Sequence, residues 1–207
     1  QRANRRATAV IYVEYEDGSV ATATAFAVQS EGVLLTNRHA VLGADGQHRP
    51  RRIALQFCDS EQIFPARLLA TADAADLAAV AVEKLEGTIP VVRGLNVRAD
   101  TLPAEAPVAL IGFPLGGDQP LPGLGGGAAV VRPIVGAGVV RALRSDRLEL
   151  TGYGAEGASG SPIFDGAGEV VGILYGGTES ASGQTLYAVP ASVAARLLDV
   201  LRRRGST

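Results

Sequence analysis

The chain has no methionine and no tryptophan, a single cysteine and only two histidines in 207 residues. Each scarcity removes a class of explanation. Cys58 has no second cysteine for an internal disulfide, and together with His39 and His48 it falls short of the nitrogen and sulfur ligand set of a structural zinc site. Stability must therefore come from packing. Five tyrosines, five phenylalanines and a net charge of −2 supply neither the stacking platform nor the basic footprint that nucleic acid requires. No run approaches the ~20 apolar residues of a membrane span, and the polar, basic start from Gln1 to Arg6 is unlike a secretory signal. The lack of methionine with a start at Gln1 leads to the expectation of a processed or excised piece of a longer protein. Arg2, Arg5, Arg6 and Arg202 to Arg204 read as solvated faces or truncated linkers.

What is present is a hydrophobic content of 47%, enough for one or two compact cores. The apolar residues fall in short runs with strand character. Thr8 to Tyr15 alternates β-branched and aromatic residues, Asp17-Gly18 turns it, and Ser19 to Val28 returns as the second arm of a hairpin. Val33 to Thr36, Ile53 to Phe57, Ile63 to Ala70 and Leu77 to Val82 follow, the last ambiguous with helix because of its alanines. Beyond a Gly- and Pro-interrupted crossing, strands are expected at Pro107 to Phe113, Ala128 to Leu143 with bulges at Gly136 and Gly138, Arg147 to Thr151, Ser161 to Phe164, Glu169 to Tyr175 and Thr185 to Val189. Pro190 then opens a helix from Ala191 to Arg203, whose Val193, Leu197, Leu198 and Leu201 form one stripe. The fold class is all-β, of barrel or sandwich type, with a C-terminal helix. The expected division is residues 1–86, a crossing over 87–105, residues 106–190, and a terminal helix over 191–207. No residue-level repeat relates the halves. Leu115 to Gly127, rich in glycine and proline, reads as a mobile surface loop.

The chemistry centres on Gly157-Ala158-Ser159-Gly160-Ser161-Pro162, a serine between glycines ahead of an apolar run. Such a turn can present Ser159 Oγ with backbone N–H groups beside it, which acyl transfer needs; alone it is equally a Gly/Ser turn. A serine nucleophile requires a base and a group that orients the base. His39 follows a buried strand, whereas His48 lies in a polar, arginine-rich loop without order-imposing neighbours, so His39 is the candidate base. Asp76, directly before an apolar run, is a better orienting carboxylate than Asp73 among alanines. The order His39, Asp76, Ser159 on an all-β chain matches one known triad order. A Gly-x-Ser-x-Gly esterase is excluded by Ser161 and by the missing alternation of helices, and Gly123 to Ala128 is a poor dinucleotide fingerprint because valine-rich strands follow it.

These motifs resemble the chymotrypsin-like serine proteases, particularly the bacterial glutamyl endopeptidases and HtrA-type proteases. Leu34 to Val41 resembles the family's histidine motif, Asp76 to Val80 its aspartate motif and Gly157 to Pro162 its nucleophile motif, and the likeness continues through Glu169 to Gly177. The resemblance implies two six-stranded antiparallel β-barrels with the site between them. It implies His39, Asp76 and Ser159 as catalytic residues, Gly157 and Ser159 as oxyanion donors, and an S1 pocket walled by Tyr153, Gly154, Leu174 and Gly177 with Thr185 deeper. No metal or organic cofactor is implied, and the partner is a protein or peptide substrate; a regulatory domain or partner outside this fragment is compatible with the family. Ala158 stands where digestive members carry an aspartate that captures a new N-terminus, which excludes that activation route. Leu174 stands where glutamyl endopeptidases place a carboxylate-binding histidine, so an uncharged, small or medium apolar P1 residue is expected. The loop from Leu115 to Gly127 is expected to order when substrate or a partner binds. A protease-fold binding or scaffold module without turnover is the alternative reading.

Overall fold

The computed structural model describes residues 2–98, 102–114, 129–152, 157–180 and 183–205. The expected ordering of residues 115–127 therefore lies outside the described residues. Six strands, β1 (Thr8–Tyr15), β2 (Val20–Gln29), β3 (Val33–Thr36), β4 (Pro50–Phe57), β5 (Ile63–Thr71) and β6 (Ala78–Val82), close into one barrel in the order β1-β2-β3-β6-β5-β4. Six more, β7 (Pro107–Gly112), β8 (Ile134–Leu143), β9 (Leu148–Thr151), β10 (Pro162–Phe164), β11 (Val170–Ser180) and β12 (Gly183–Pro190), close a second. All of these pairings are antiparallel, with β1 against β4 and β7 against β10 sealing the rings. Three helices complete the order: α1 (Arg2–Arg6), α2 (Arg38–Leu42) and α3 (Ala191–Gly205). None is long and apolar enough to cross a membrane.

Alternation explains the first barrel. Ala9, Ile11, Val13 and Tyr15 of β1 point into its core with Leu34, Leu55, Ala78 and Val80, while Val10 and Tyr12 on the outer face are covered by Phe113 and Val131 of the other half. Buried on both faces, β1 is mostly apolar, and its Thr8, Tyr12 and Tyr15 hydroxyls are each hydrogen-bonded. The alanine-rich β6 is a strand because it is paired on both sides, with β3 and β5, and its small side chains let neighbouring layers approach. A separate cluster fills the space between barrels: Phe26, Leu35 and Leu77 from the first meet Ile111, Phe164 and Ile173 from the second. Ala194, Leu197 and Leu198 of α3 join it, with Val193 and Leu201 at its edge, in keeping with the expected stripe.

Several expectations need correction. The strand expected from Ala128 begins at Ile134, after Pro133, which lacks the N–H a ladder position would use. Its register shift falls between Val140 and Ala142, not at the glycines. Gly138 instead permits close approach, since a Cβ there would lie 2.1 Å from the Thr151 carbonyl oxygen. At the start of the chain Arg2 and Arg6 are exposed, and the helix they lie on is anchored by the residue between them. Asn4 is buried; its side chain donates to the Gly168 carbonyl at 2.8 Å and accepts from the Arg93 amide at 2.9 Å, tying α1 to the crossing and to the β10–β11 turn.

Candidate active site

Strand β3 delivers the histidine. Thr36 and Asn37 are fully buried, Asn37 keeps extended backbone at φ −80° and ψ 151°, and the chain then turns into α2. Ala40 and Val41 anchor that helical turn in the first core, and Tyr15 donates its hydroxyl to the Ala40 carbonyl at 2.9 Å. His39 is thereby left facing outward on a fixed support. Asp76, just before β6, is held by the burial of Leu77 and by the Asn37 side-chain amide, which donates to the Asp76 carbonyl at 2.8 Å.

The two side chains meet at two points. The His39 amide donates to Asp76 Oδ1 at 2.9 Å, and the His39 ring meets Asp76 Oδ2 through Nδ1 at 2.5 Å. Burial pushes the Asp76 carboxyl upward, but the His39 ring and amide hydrogen bonds, with the charges of His39 and Arg38, outweigh it and hold the carboxyl below its ordinary value of 3.8. An ionised carboxylate at Nδ1 requires the ring proton there, which leaves Nε2 with its lone pair available.

Ser159 sits on a turn built by close approach. Gly157 and Gly160 have φ of +87° and +84°, the Ser161 amide donates to the Ala158 carbonyl at 3.0 Å, and the Gly160 amide donates to Leu174 at 2.8 Å. A Cβ on Gly160 would lie 1.9 Å from the Thr24 carbonyl oxygen, so only glycine fits. The turn is bound across to the first barrel: the Thr24 amide donates to the Ser159 carbonyl at 2.8 Å and its hydroxyl to the Gly157 carbonyl at 3.1 Å. Thr24 in turn accepts the Thr36 hydroxyl at 2.8 Å, three residues before His39. The structure thus brings the serine turn and the histidine support into one hydrogen-bonded assembly. No hydrogen bond joins the Ser159 hydroxyl to the His39 ring in it.

The remaining candidates separate. Tyr153 and Gly154 lie outside the described residues. Leu174 is 3% exposed and packs in the interior of the second barrel with Ile163 and Leu186, against which Ala158 leans. Gly177 pairs with Leu186, and Thr185 lies opposite both Thr178 and Thr151. His48 does have ordering neighbours, contrary to expectation. Its ring contacts Asp45 at 3.0 Å and Asp17 at 3.6 Å and meets Tyr15 edge-on at 5.2 Å, because the loop folds back over β1.

Sequence reasoning assigned no role to Thr24 or Asn37. Asn37 adjoins His39 and could have been suspected; Thr24 could not, its partner Gly157 being 133 positions away. A cavity of about 1350 Å³ opens among α1, the β4–β5 turn and the β10–β11 turn, and none of His39, Asp76 or Ser159 lines it. Its carboxylates are engaged, Asp165 by its own turn and Asp59 by Arg5. Among the described residues no group of three His, Cys, Asp or Glu side chains converges as metal ligands do.

The trypsin-like peptidase domain model matches residues 23–173, from β2 through the Gly157 to Ser161 turn into β11. The chain belongs to that family. A trypsin-like peptidase domain is consistent with both closed barrels and with the strand order of each. Among curated proteins the chain is similar to a glutamyl endopeptidase of Staphylococcus epidermidis, 28% identical over 193 residues, covering 87% of this chain and 63% of that protein. A glutamyl endopeptidase of a further Staphylococcus epidermidis strain is 30% identical over 172 residues, covering 77% of this chain and 56% of the relative. The chain thus spans somewhat less than two thirds of the curated relatives it matches.

Proposed function

We propose that this trypsin-like peptidase domain is a serine endopeptidase with Ser159 as nucleophile, His39 as base and Asp76 as the group that orients the base. The observation that carries the reading is the two-point contact of Asp76 with the His39 amide and ring, which favours the neutral tautomer with Nε2 free. Ser159 Oγ attacks the peptide carbonyl carbon as its proton passes to His39 Nε2, and the carbonyl electrons move to oxygen, received by the Gly157 and Ser159 amides. Collapse of the intermediate breaks the C–N bond, and His39 gives its proton to the leaving amine. Water then adds to the acyl carbon, its proton passing to His39 and onward to the departing Ser159 oxygen. The two barrels act as domains flanking this site.

The relatives are glutamyl endopeptidases by name, but Leu174 offers no charge or hydrogen bond to an acidic side chain, and it is buried among apolar residues. The domain therefore prefers small or medium apolar P1 residues, since a charged side chain there would be desolvated without a partner. A fluorophosphonate probe is expected to label the protein and to lose its target in Ser159→Ala. Equal labelling of both proteins, or none of either, refutes the nucleophile and leaves a binding module of the same fold. Cleavage confined to bonds after glutamate or arginine in a peptide library refutes the pocket assignment while sparing the mechanism.

A further inference from the structure

Every polar atom of the buried Thr24 is hydrogen-bonded, the amide and hydroxyl across the seam between the barrels and the carbonyl within the first. Its amide donates to the Ser159 carbonyl at 2.8 Å, its hydroxyl donates to the Gly157 carbonyl at 3.1 Å and accepts the Phe113 amide at 2.9 Å, and its carbonyl accepts the Thr36 hydroxyl at 2.8 Å. Any residue but proline could supply the amide bond. Only a hydroxyl can supply the pair to Gly157 and Phe113, accepting from one and donating to the other. Because Phe113 occupies the oxygen as acceptor, the single hydroxyl proton is directed to Gly157.

Gly157 needs such a restraint. At φ +87° it lacks a side chain to lock its peptide planes, so glycine freedom must be limited from outside. From these contacts we infer that Thr24 is a positioning residue: its hydroxyl fixes the Gly157–Ala158 peptide plane, and through it the two flanking planes that carry the Gly157 and Ser159 oxyanion donors. The inference rests on the serine-peptidase reading for its catalytic consequence and on the hydrogen bonds alone for its structural part. It also gives the first barrel a part in the oxyanion site, which otherwise belongs to the second.

Steady-state kinetics of Thr24→Val, Thr24→Ala and Thr24→Ser test it, with thermal melts to verify folding. Thr24→Val, which keeps the shape and removes the hydroxyl, is expected to lower kcat on the order of tenfold to a hundredfold with KM little changed, less than the loss from deleting an oxyanion donor outright. Thr24→Ser is expected to recover most of that loss. Should the valine variant fail to fold, the difference between serine and alanine isolates the hydroxyl. Wild-type kcat in Thr24→Val, a loss confined to KM, or a serine variant as poor as alanine overturns the inference. The Gly157 carbonyl carbon resonance, followed by NMR without turnover, separates the two levels: it is expected to move in Thr24→Val and to stay near its wild-type position in Thr24→Ser. If the wild type takes no label at Ser159, the peptidase reading fails while this resonance still decides whether Thr24 holds Gly157; an unmoved resonance in Thr24→Val refutes that hold.

Discussion

The two barrels share one ring order: β1-β2-β3-β6-β5-β4 in the first corresponds, strand for strand, to β7-β8-β9-β12-β11-β10 in the second. Their contributions to the site are nevertheless held by different means. In the first, His39 and Asp76 are fixed through side chains, to one another and through Asn37. In the second, the Gly157 to Ser161 turn is fixed through its backbone, to Leu174 and to Thr24. On the proposed mechanism the difference follows from what each must present. A base must be offered as one tautomer, which takes a side-chain partner, whereas a nucleophile beside oxyanion donors must offer peptide planes, which are held by hydrogen bonds to the backbone groups themselves.

The sharpest break in that comparison is at the side-chain-held half. Asp76→Asn should leave the fold intact yet lower kcat/KM by about 10⁴-fold, because an amide NH₂ facing Nδ1 forces the wrong imidazole tautomer; steady-state kinetics on a cleaved peptide measure it. The backbone-held half should fail in stability as well as in turnover. Gly160→Ala drives a methyl to 1.9 Å from the Thr24 carbonyl at a positive φ, and chemical denaturation should show a loss of at least ~2 kcal/mol. Gly18→Ala, in the open β1–β2 turn at φ +84° with nothing within 4 Å, supplies the control, expected to cost only ~1 kcal/mol of backbone strain and no activity.

The smallest effect is acid sensitivity. The folded Asp76 carboxyl lies below its unfolded value, so its contribution is fully present above the ordinary carboxylate value of 3.8 and is lost as pH falls through the lowered folded value. Denaturant midpoints taken against pH should decline over that acid range in the wild type, and more shallowly in Asp76→Asn. An identical decline in both would place the acid sensitivity elsewhere.

Local patterns made much of this architecture readable. Thr8 to Tyr15 was delimited to the residue because Asp17-Gly18 ends its alternation, and Val33 to Thr36 because Gly32, at φ +102°, starts a new segment. Alanine content blurred β6, where strand pairing and not propensity decides. Helix α2 was missed because a five-residue turn has too short a period to detect. The ring order common to both barrels leaves no residue-level trace, since alternation constrains apolarity at a position without constraining identity. At the site, residue types and their order were legible, but Thr24 was not. A threonine in an apolar strand carries no sign of the distant glycine it holds, because the fold alone brings them together.

Helix α3 has a wider consequence. It follows the last strand of the second barrel, yet its apolar side chains pack with Phe26, Leu35 and Leu77 of the first, while Asn4 ties the N-terminal helix to the crossing and to the β10–β11 turn. Neither barrel can melt without stripping cover from the other. Unfolding should accordingly be a single cooperative event, one calorimetric peak whose van't Hoff and calorimetric enthalpies agree, although the chain is built from two closed rings.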